Sequence, residues 1–319
     1  MTTARAQQIS LSDTPYYHIM SRCVRRSYLC GTDELTGRCY EHRRQWIEDR
    51  IRLLSTVFSI DVCSYAVMSN HYHIVVKIDA EISESWSFDE VIQRWLCIHK
   101  GPFIVQKYQN GDSIGATEMK VIKDIVDDWR ERLSSLSEFM QQLNQVISRQ
   151  ANIEEDCTGR FWEGRFKSQP LLTQEALLTA MAYVDLNPIR AKMADTPEQS
   201  KHTSIKERIK PRFNLANALA NNPDINPFYI QRFSVKPLAS LEGNVKHHDQ
   251  NGVLFSHSDY LTLVDTTGRI QRQDKRGFIP NALLPILQRL SVDADEWVEN
   301  TQKFEDIFYK KFYYQRNTA

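Results

Sequence analysis

Val67-Met68-Ser69-Asn70-His71-Tyr72-His73-Ile74-Val75-Val76 sets two histidines one residue apart at the head of an apolar run. Side chains alternate across a strand, so residues two apart share a face. Read as a strand, this stretch sends His71 and His73 one way and Tyr72, Ile74 and Val76 the other way, into a core. Two imidazoles on one face can hold a single divalent ion. One buried histidine beside a chance neighbour gives the same pattern, so the rest of the chain has to decide. Just upstream, Phe58 to Met68 is rich in β-branched and aromatic residues and predicts another strand. Only Ser69-Asn70 separates the two. A connection that short makes them an antiparallel hairpin, with the histidines at the start of its second arm.

Working back toward the N-terminus, Tyr16 to Val24 predicts a first strand, and residues 1–14 read as a loose leader. His18 sits in that strand as a lone histidine among aromatics, a residue to be packed or hydrogen-bonded rather than a metal ligand. Arg22, Arg25 and Arg26 cluster at the strand's end, where arginines suit phosphate contacts or simply a solvated surface. Thr32 or Asp33 can cap a helix running to about Ser55.

Downstream, residues 79–156 form a long insertion of helical character. Phe88 to Ile98 predicts a helix ended by Gly101-Pro102, Lys107 to Gly115 a loop, and Val121 to Gln150 one long helix. Ile122, Ile125, Trp129, Leu133, Leu136, Met140, Leu143 and Ile147 give that helix one apolar face for core packing. Then comes Gly159-Arg160-Phe161-Trp162-Glu163-Gly164-Arg165-Phe166-Lys167. Its aromatics and cations interleave, which suits bases and phosphates, or an aromatic-rich turn over the core. Arg165 to Leu171 reads as a strand. Thr173 can cap a helix over Glu175 to Asn187, and Pro188 ends or kinks it there. Tyr183 and Asn187 share a face of that helix; taken alone they fit core and cap as well as chemistry.

Asn214 to Pro227 has the composition of a linker. Beyond it, Ser256 opens a helix, Thr267-Gly268-Arg269 marks a turn, and Asn281 to Leu290 and Asp293 to Tyr309 read as helices. His247-His248 is a weak metal candidate in a polar loop. No chemistry is evident in this last third.

The 319 residues are 41% hydrophobic and 25% charged, a globular composition, with no apolar run long enough for a membrane span. The N-terminus lacks a signal-peptide core, so the cytoplasm is the expected location. The six cysteines show no Cys-x-x-Cys spacing and read as reduced thiols. Net charge is zero but unevenly spread. Residues 1–78 hold 10 Lys and Arg against 7 Asp and Glu, residues 79–158 hold 8 against 15, and residues 159–213 hold 10 against 6. Two basic segments that fold together would make a positive face hidden in the total.

Asn70-His71-Tyr72-His73, then the Gly159–Lys167 segment, then Tyr183-Val184-Asp185-Leu186-Asn187-Pro188-Ile189-Arg190-Ala191 together resemble the single-tyrosine HUH transposases, most of all the REP-associated tyrosine transposases of bacteria. The resemblance covers about residues 15–205. It implies an α+β fold, a ferredoxin-like antiparallel sheet flanked by helices, within a domain of residues 1–213. The helical insertion at about 80–157 is longer than the short members carry. Residues 214–319 form a mostly helical C-terminal extension outside the resemblance, an accessory region of unknown role. Carried over by position, His71 and His73 are metal ligands, Asn187 completes the metal site and Tyr183 is the nucleophile. The implied cofactor is Mg²⁺ or Mn²⁺. The implied partner is single-stranded or hairpin DNA, contacted by Arg22, Arg25, Arg26, Arg160, Arg165, Lys167 and Arg190; a homodimer is left open. A free tyrosine hydroxyl has a pKa near 10 and is a weak nucleophile at neutral pH, so the chemistry needs an activated phosphate. Two alternatives stand beside the phosphotyrosine reading. One is a hydrolytic metal phosphodiesterase; the other is a catalytically idle DNA-binding protein.

Overall fold

The computed structural model of the chain describes residues 9–24, 29–33, 36–242 and 252–290. In chain order it begins β1 (Tyr16–Arg22), α1 (Arg43–Val57), β2 (Ile60–Val67) and β3 (His71–Ile78). Five helices follow: α2 (Ala80–Ser85), α3 (Phe88–Leu96), α4 (Phe103–Gln109), α5 (Ala116–Leu133) and α6 (Leu136–Glu154). Next come β4 (Lys167–Pro170), α7 (Gln174–Arg190), α8 (Ser204–Ile209), α9 (Leu215–Asn221), α10 (Pro227–Ile230), α11 (His257–Arg269) and α12 (Ile286–Arg289).

The strands form one sheet in the order β2-β3-β1-β4, every neighbour antiparallel. That is the split β-α-β arrangement of a ferredoxin-like sheet, an α+β fold as expected. Residues opposite one another in an antiparallel pair share a face. Arg22 lies opposite His71, Met20 opposite both His73 and Lys167, and His18 opposite Gln169. One face therefore carries the histidines. The other carries Tyr17, Ile19, Tyr72, Ile74 and Val76, all fully buried. Each such side chain contributes about 1.5–3 kcal/mol by leaving water. They pack with Ile47, Ile51 and Leu54 of α1 and Phe139, Met140 and Leu143 of α6. On the histidine face, Val75 joins a second apolar cluster with Met181 and Val184 of α7 and Leu261 and Val264 of α11. The sheet is thus covered on both sides, and α7 lies against the side that bears the imidazoles.

Several elements depart from the sequence expectations, each for a local reason. The leader is tied down where it is described: the Tyr17 hydroxyl donates to the Ser10 carbonyl at 2.9 Å and accepts from the Ser10 N–H at 2.8 Å. The helix expected from Thr32 begins only at Arg43. Thr32 instead pairs with Cys39 across a turn in which Gly37 takes a φ of +70°. The single helix expected over Val121 to Gln150 is two, broken at Ser134-Ser135. The Ser135 hydroxyl accepts the Glu138 N–H at 3.3 Å and starts a new helix. Part of the expected loop at 107–115 is the end of α4.

Pro188 does not end α7, which runs to Arg190. Pro188 has no N–H to give the Val184 carbonyl and its ring crowds that oxygen, but it falls in the last turn, so only the two residues after it have to follow. The helix stops at Lys192, whose φ is +57°; the Lys192 N–H donates to the Ile189 carbonyl and the Met193 N–H to the Pro188 carbonyl. The stretch read as a linker holds α9 and supplies core: Ala218 and Ile225 are buried in the main cluster. Thr267-Gly268-Arg269 is the last turn of α11, and only Ile286–Arg289 of the expected helix at 281–290 is helical. Arg25, Arg26, His247-His248 and the helix expected over Asp293 to Tyr309 fall outside the described residues.

Candidate functional site

The two imidazoles of the hairpin point to one side, as alternation requires. Their ring centroids are 4.8 Å apart and their planes perpendicular. Tyr183 reaches the same place from α7, its ring centroid 5.6 Å from that of His73. The Tyr183 side chain is 43% exposed while His73 is 3% exposed, so the phenol stands at the surface over a buried imidazole. Asn187, one turn further along α7, lines a cavity together with Tyr183. The structure therefore brings His71, His73 and Tyr183 together, although His73 and Tyr183 are more than a hundred positions apart.

A third histidine belongs to this cluster. His18 Nε2 lies 3.0 Å from His73 Nδ1, with the rings 19° from parallel and 5.1 Å between centroids. With nitrogens so close and centroids so far apart, the rings meet through their edges and form a hydrogen bond rather than a face-to-face stack. His18 is thus hydrogen-bonded, as the sequence suggested, but its partner is the candidate ligand His73. On the other side, His71 Nδ1 lies 2.6 Å from Asn70 Oδ1. Burial pushes the His71 imidazole down to about 4, and the neighbouring Arg22 and Lys275 charges add to the effect. Burial, with His71 next, pushes His73 down to about 2. Both rings are therefore neutral at physiological pH, the form that binds metals.

The residues present fit the divalent ion that the family resemblance implies. His73 Nε2 is buried and has no hydrogen-bond partner, the state of an imidazole nitrogen able to take a metal; Asn187 could contribute only its side-chain oxygen. Each of the two imidazoles has its Nδ1 engaged, by Asn70 or His18, which orients the ring. Asn70 Oδ1 accepts from His71 Nδ1 and so leaves that ring's Nε2 with its lone pair; His73 Nε2 is in the same state in the tautomer that donates from Nδ1 to His18. Among the described residues no group of three or more His, Cys, Asp or Glu is arranged to hold a metal. Protein ligation here would rest on the two imidazoles and an amide.

The expected DNA contacts divide. Arg22 and Lys167 are exposed and lie on the histidine face of the sheet. Arg160 and Arg165 are exposed on the segment that runs beside the end of β1, where the Glu163 N–H donates to the Arg22 carbonyl. Arg190 is engaged internally: its guanidinium donates to the carbonyls of Thr267 at 2.8 Å and Ile270 at 2.7 Å. The aromatics of this segment are not free to stack on bases. Phe161 and Phe166 are buried in the main core, and Trp162 donates to the Asn144 carbonyl at 2.9 Å. Nor is all of the N-terminal basic charge on the surface, since buried Arg43 pairs with Glu154 and Glu155 of the acidic insertion. Sequence reasoning missed Arg272 and Lys275, which lie in the last third and line the same cavity as Tyr183. Nothing local marked them, because only the packing of α11 on α7 brings them here.

No family model and no curated protein matches the chain. Among solved structures it is similar to a REP-associated tyrosine transposase bound to a REP hairpin, at 12% identity and a TM-score of 0.34, over 67% of this chain and 90% of that one. A likeness that remote assigns no residue its role; the arrangement of side chains bears on function directly. Among the described residues no helix is long and apolar enough to cross a membrane.

Proposed function

We propose that the chain cleaves single-stranded DNA beside a hairpin and passes one end to another strand, with Tyr183 as nucleophile. The observation that carries this reading is the Tyr183 ring beside His73, exposed toward solvent and 5.6 Å from it between centroids. A phenol so placed can reach a phosphate that lies against the imidazole pair.

In this reading the Tyr183 hydroxyl oxygen attacks phosphorus. An oxygen–phosphorus bond forms as the bond to the 3′ oxygen breaks; the phenol proton passes to solvent and the departing 3′ oxygen takes one up. The products are a 5′-phosphotyrosine and a free 3′-hydroxyl. The covalent bond conserves the phosphodiester energy, so another 3′-hydroxyl can reverse the step without a nucleotide cofactor. His71, His73 and Asn187 would hold Mg²⁺ or Mn²⁺, which when bound polarises the scissile phosphate and offsets its developing charge. Arg22, on the same sheet face as His71, adds positive charge for the strand.

The test incubates wild type and Tyr183→Phe with labelled, hairpin-flanked oligonucleotides and Mn²⁺ on a denaturing gel. Protein-linked DNA that requires the phenol supports the proposal. Cleavage that survives in Tyr183→Phe without an adduct would establish the hydrolytic alternative. Hairpin binding with no cleavage by wild type would establish the idle DNA-binding one.

A further inference from the structure

A cavity of about 670 Å³ opens beside Tyr183 between α7 and α11. Leu178, Ala182, Leu186, Phe255 and Leu263 give it an apolar wall, and Arg190, Arg272 and Lys275 are its cations. The segment carrying the last two is fastened to the end of α7. Besides Thr267 and Ile270, Arg190 reaches the Gly277 carbonyl at 3.4 Å, and the Gly277 N–H returns a bond to the Arg190 carbonyl at 3.3 Å. A Cβ at position 277 would lie 1.9 Å from the Ile189 carbonyl oxygen, so only glycine allows this approach.

The fastening brings two exposed cations to the site. Arg272 lies within electrostatic reach of the Tyr183 phenol, and Lys275 within reach of both His71 and His73. Arg272 is held by Asp274 through two parallel bonds of 2.9 Å, an exposed fork of the geometry that also suits a phosphate, which would compete with the carboxylate for it.

We infer that this cavity receives one unpaired nucleotide of the DNA strand, its base against the apolar wall and its phosphate at Arg272 and Lys275, beside the Tyr183 hydroxyl. The inference rests on the proposed reading that single-stranded DNA is the substrate. The volume falls within the ordinary range of small-ligand pockets. A base has two flat apolar faces, and the rings of Phe255 and Tyr183 offer surfaces to stack on. Gln174, Glu175 and Thr179 supply polar groups for its edges. A base stacked inside a duplex could not enter, so the pocket would also select for the unpaired strand.

The experiment measures binding without cleavage, using Tyr183→Phe in a chelator and fluorescence anisotropy. The probe is a short labelled single strand, compared with a set in which each position in turn is abasic. One abasic position should weaken binding about tenfold. In the double variant Tyr183→Phe/Thr179→Trp, whose indole fills the cavity from an exposed helix position, that position should cease to matter. Arg272→Ala/Lys275→Ala, in the same background, should lower the salt slope of binding by about 0.7 for each phosphate no longer neutralised. Equal binding by every abasic strand, or an unchanged salt slope in the cation variant, would overturn the inference. Protein-linked DNA formed by wild type without any abasic effect would sink the pocket and leave the tyrosine chemistry standing. An abasic effect without an adduct would do the reverse.

Discussion

The Tyr72 hydroxyl donates to Asn144 Oδ1 at 2.5 Å, on the side of the sheet away from the two imidazoles that flank it in sequence. Asn144 also donates to Ser21 Oγ at 3.1 Å, and its carbonyl accepts from the Trp162 indole at 2.9 Å. One residue of α6 thus joins β3, β1 and the segment after the insertion. Tyr72→Phe removes the donor and leaves a half-buried amide oxygen unmatched, which is expected to cost about 1 kcal/mol in urea unfolding. A loss within a few tenths would mean that Asn144 finds another partner.

His18 holds the Nδ1 side of His73. His18→Ala is expected to lower Mn²⁺ affinity by about 10–100-fold, as loss of a group that orients a ligand generally does. His18→Gln, which can still hydrogen-bond, should recover part of it. Calorimetric titration checks this; equal affinity in wild type and His18→Ala would remove His18 from the site.

Acid should destabilise the metal-free protein through the same histidines. Unfolded, both have a pKa near 6.5; folded, His71 falls to about 4 and His73 to about 2. Between about pH 4 and 6.5 the unfolded chain therefore binds protons that the folded chain refuses, and stability drops as pH falls through that window. With chelator present, the urea midpoint should decrease from pH 7 to pH 5. His71→Asn/His73→Asn should flatten that decrease. An equal decrease in the double variant would place the acid sensitivity elsewhere.

Arg50 is fully buried in α1 and is met by Asp224 at 2.8 Å. Asp224→Ala takes away its counter-charge and leaves it the Gln142 carbonyl at 3.3 Å. Asp224 is itself partly exposed, so the low end of the usual range applies, about 3 kcal/mol. Thermal unfolding checks it. A neutral result would mean that the turn around residue 224 contributes nothing to α1.

What is legible in the sequence is what short-range pattern encodes. The period-two alternation of His71 to Val76 places the imidazoles on one face, and Thr173 does cap α7, accepting the Ala176 N–H at 3.1 Å. The break at Ser135 is written as a Ser-x-x-Glu cap, but a continuous apolar stripe runs across it and hides it. Residues decided by distant packing are not legible. His18 shows no partner in sequence because His73 is its neighbour only across a sheet. Phe161 and Phe166 look available for bases because nothing local shows the core they enter. Arg190 looks like a phosphate contact, and its internal carbonyl partners lie about eighty residues away.

The assembly of the site from remote parts of the chain also orders its appearance in time. The β2–β3 hairpin is local and can form early, and it already holds both imidazoles. Synthesis delivers the N-terminal half first, so a growing chain would carry the histidines well before the helix with Tyr183 emerges and docks. On the proposed reading, a growing copy holds both imidazoles before it holds a nucleophile, and the two meet only after residue 190 has emerged and α7 has docked on the sheet.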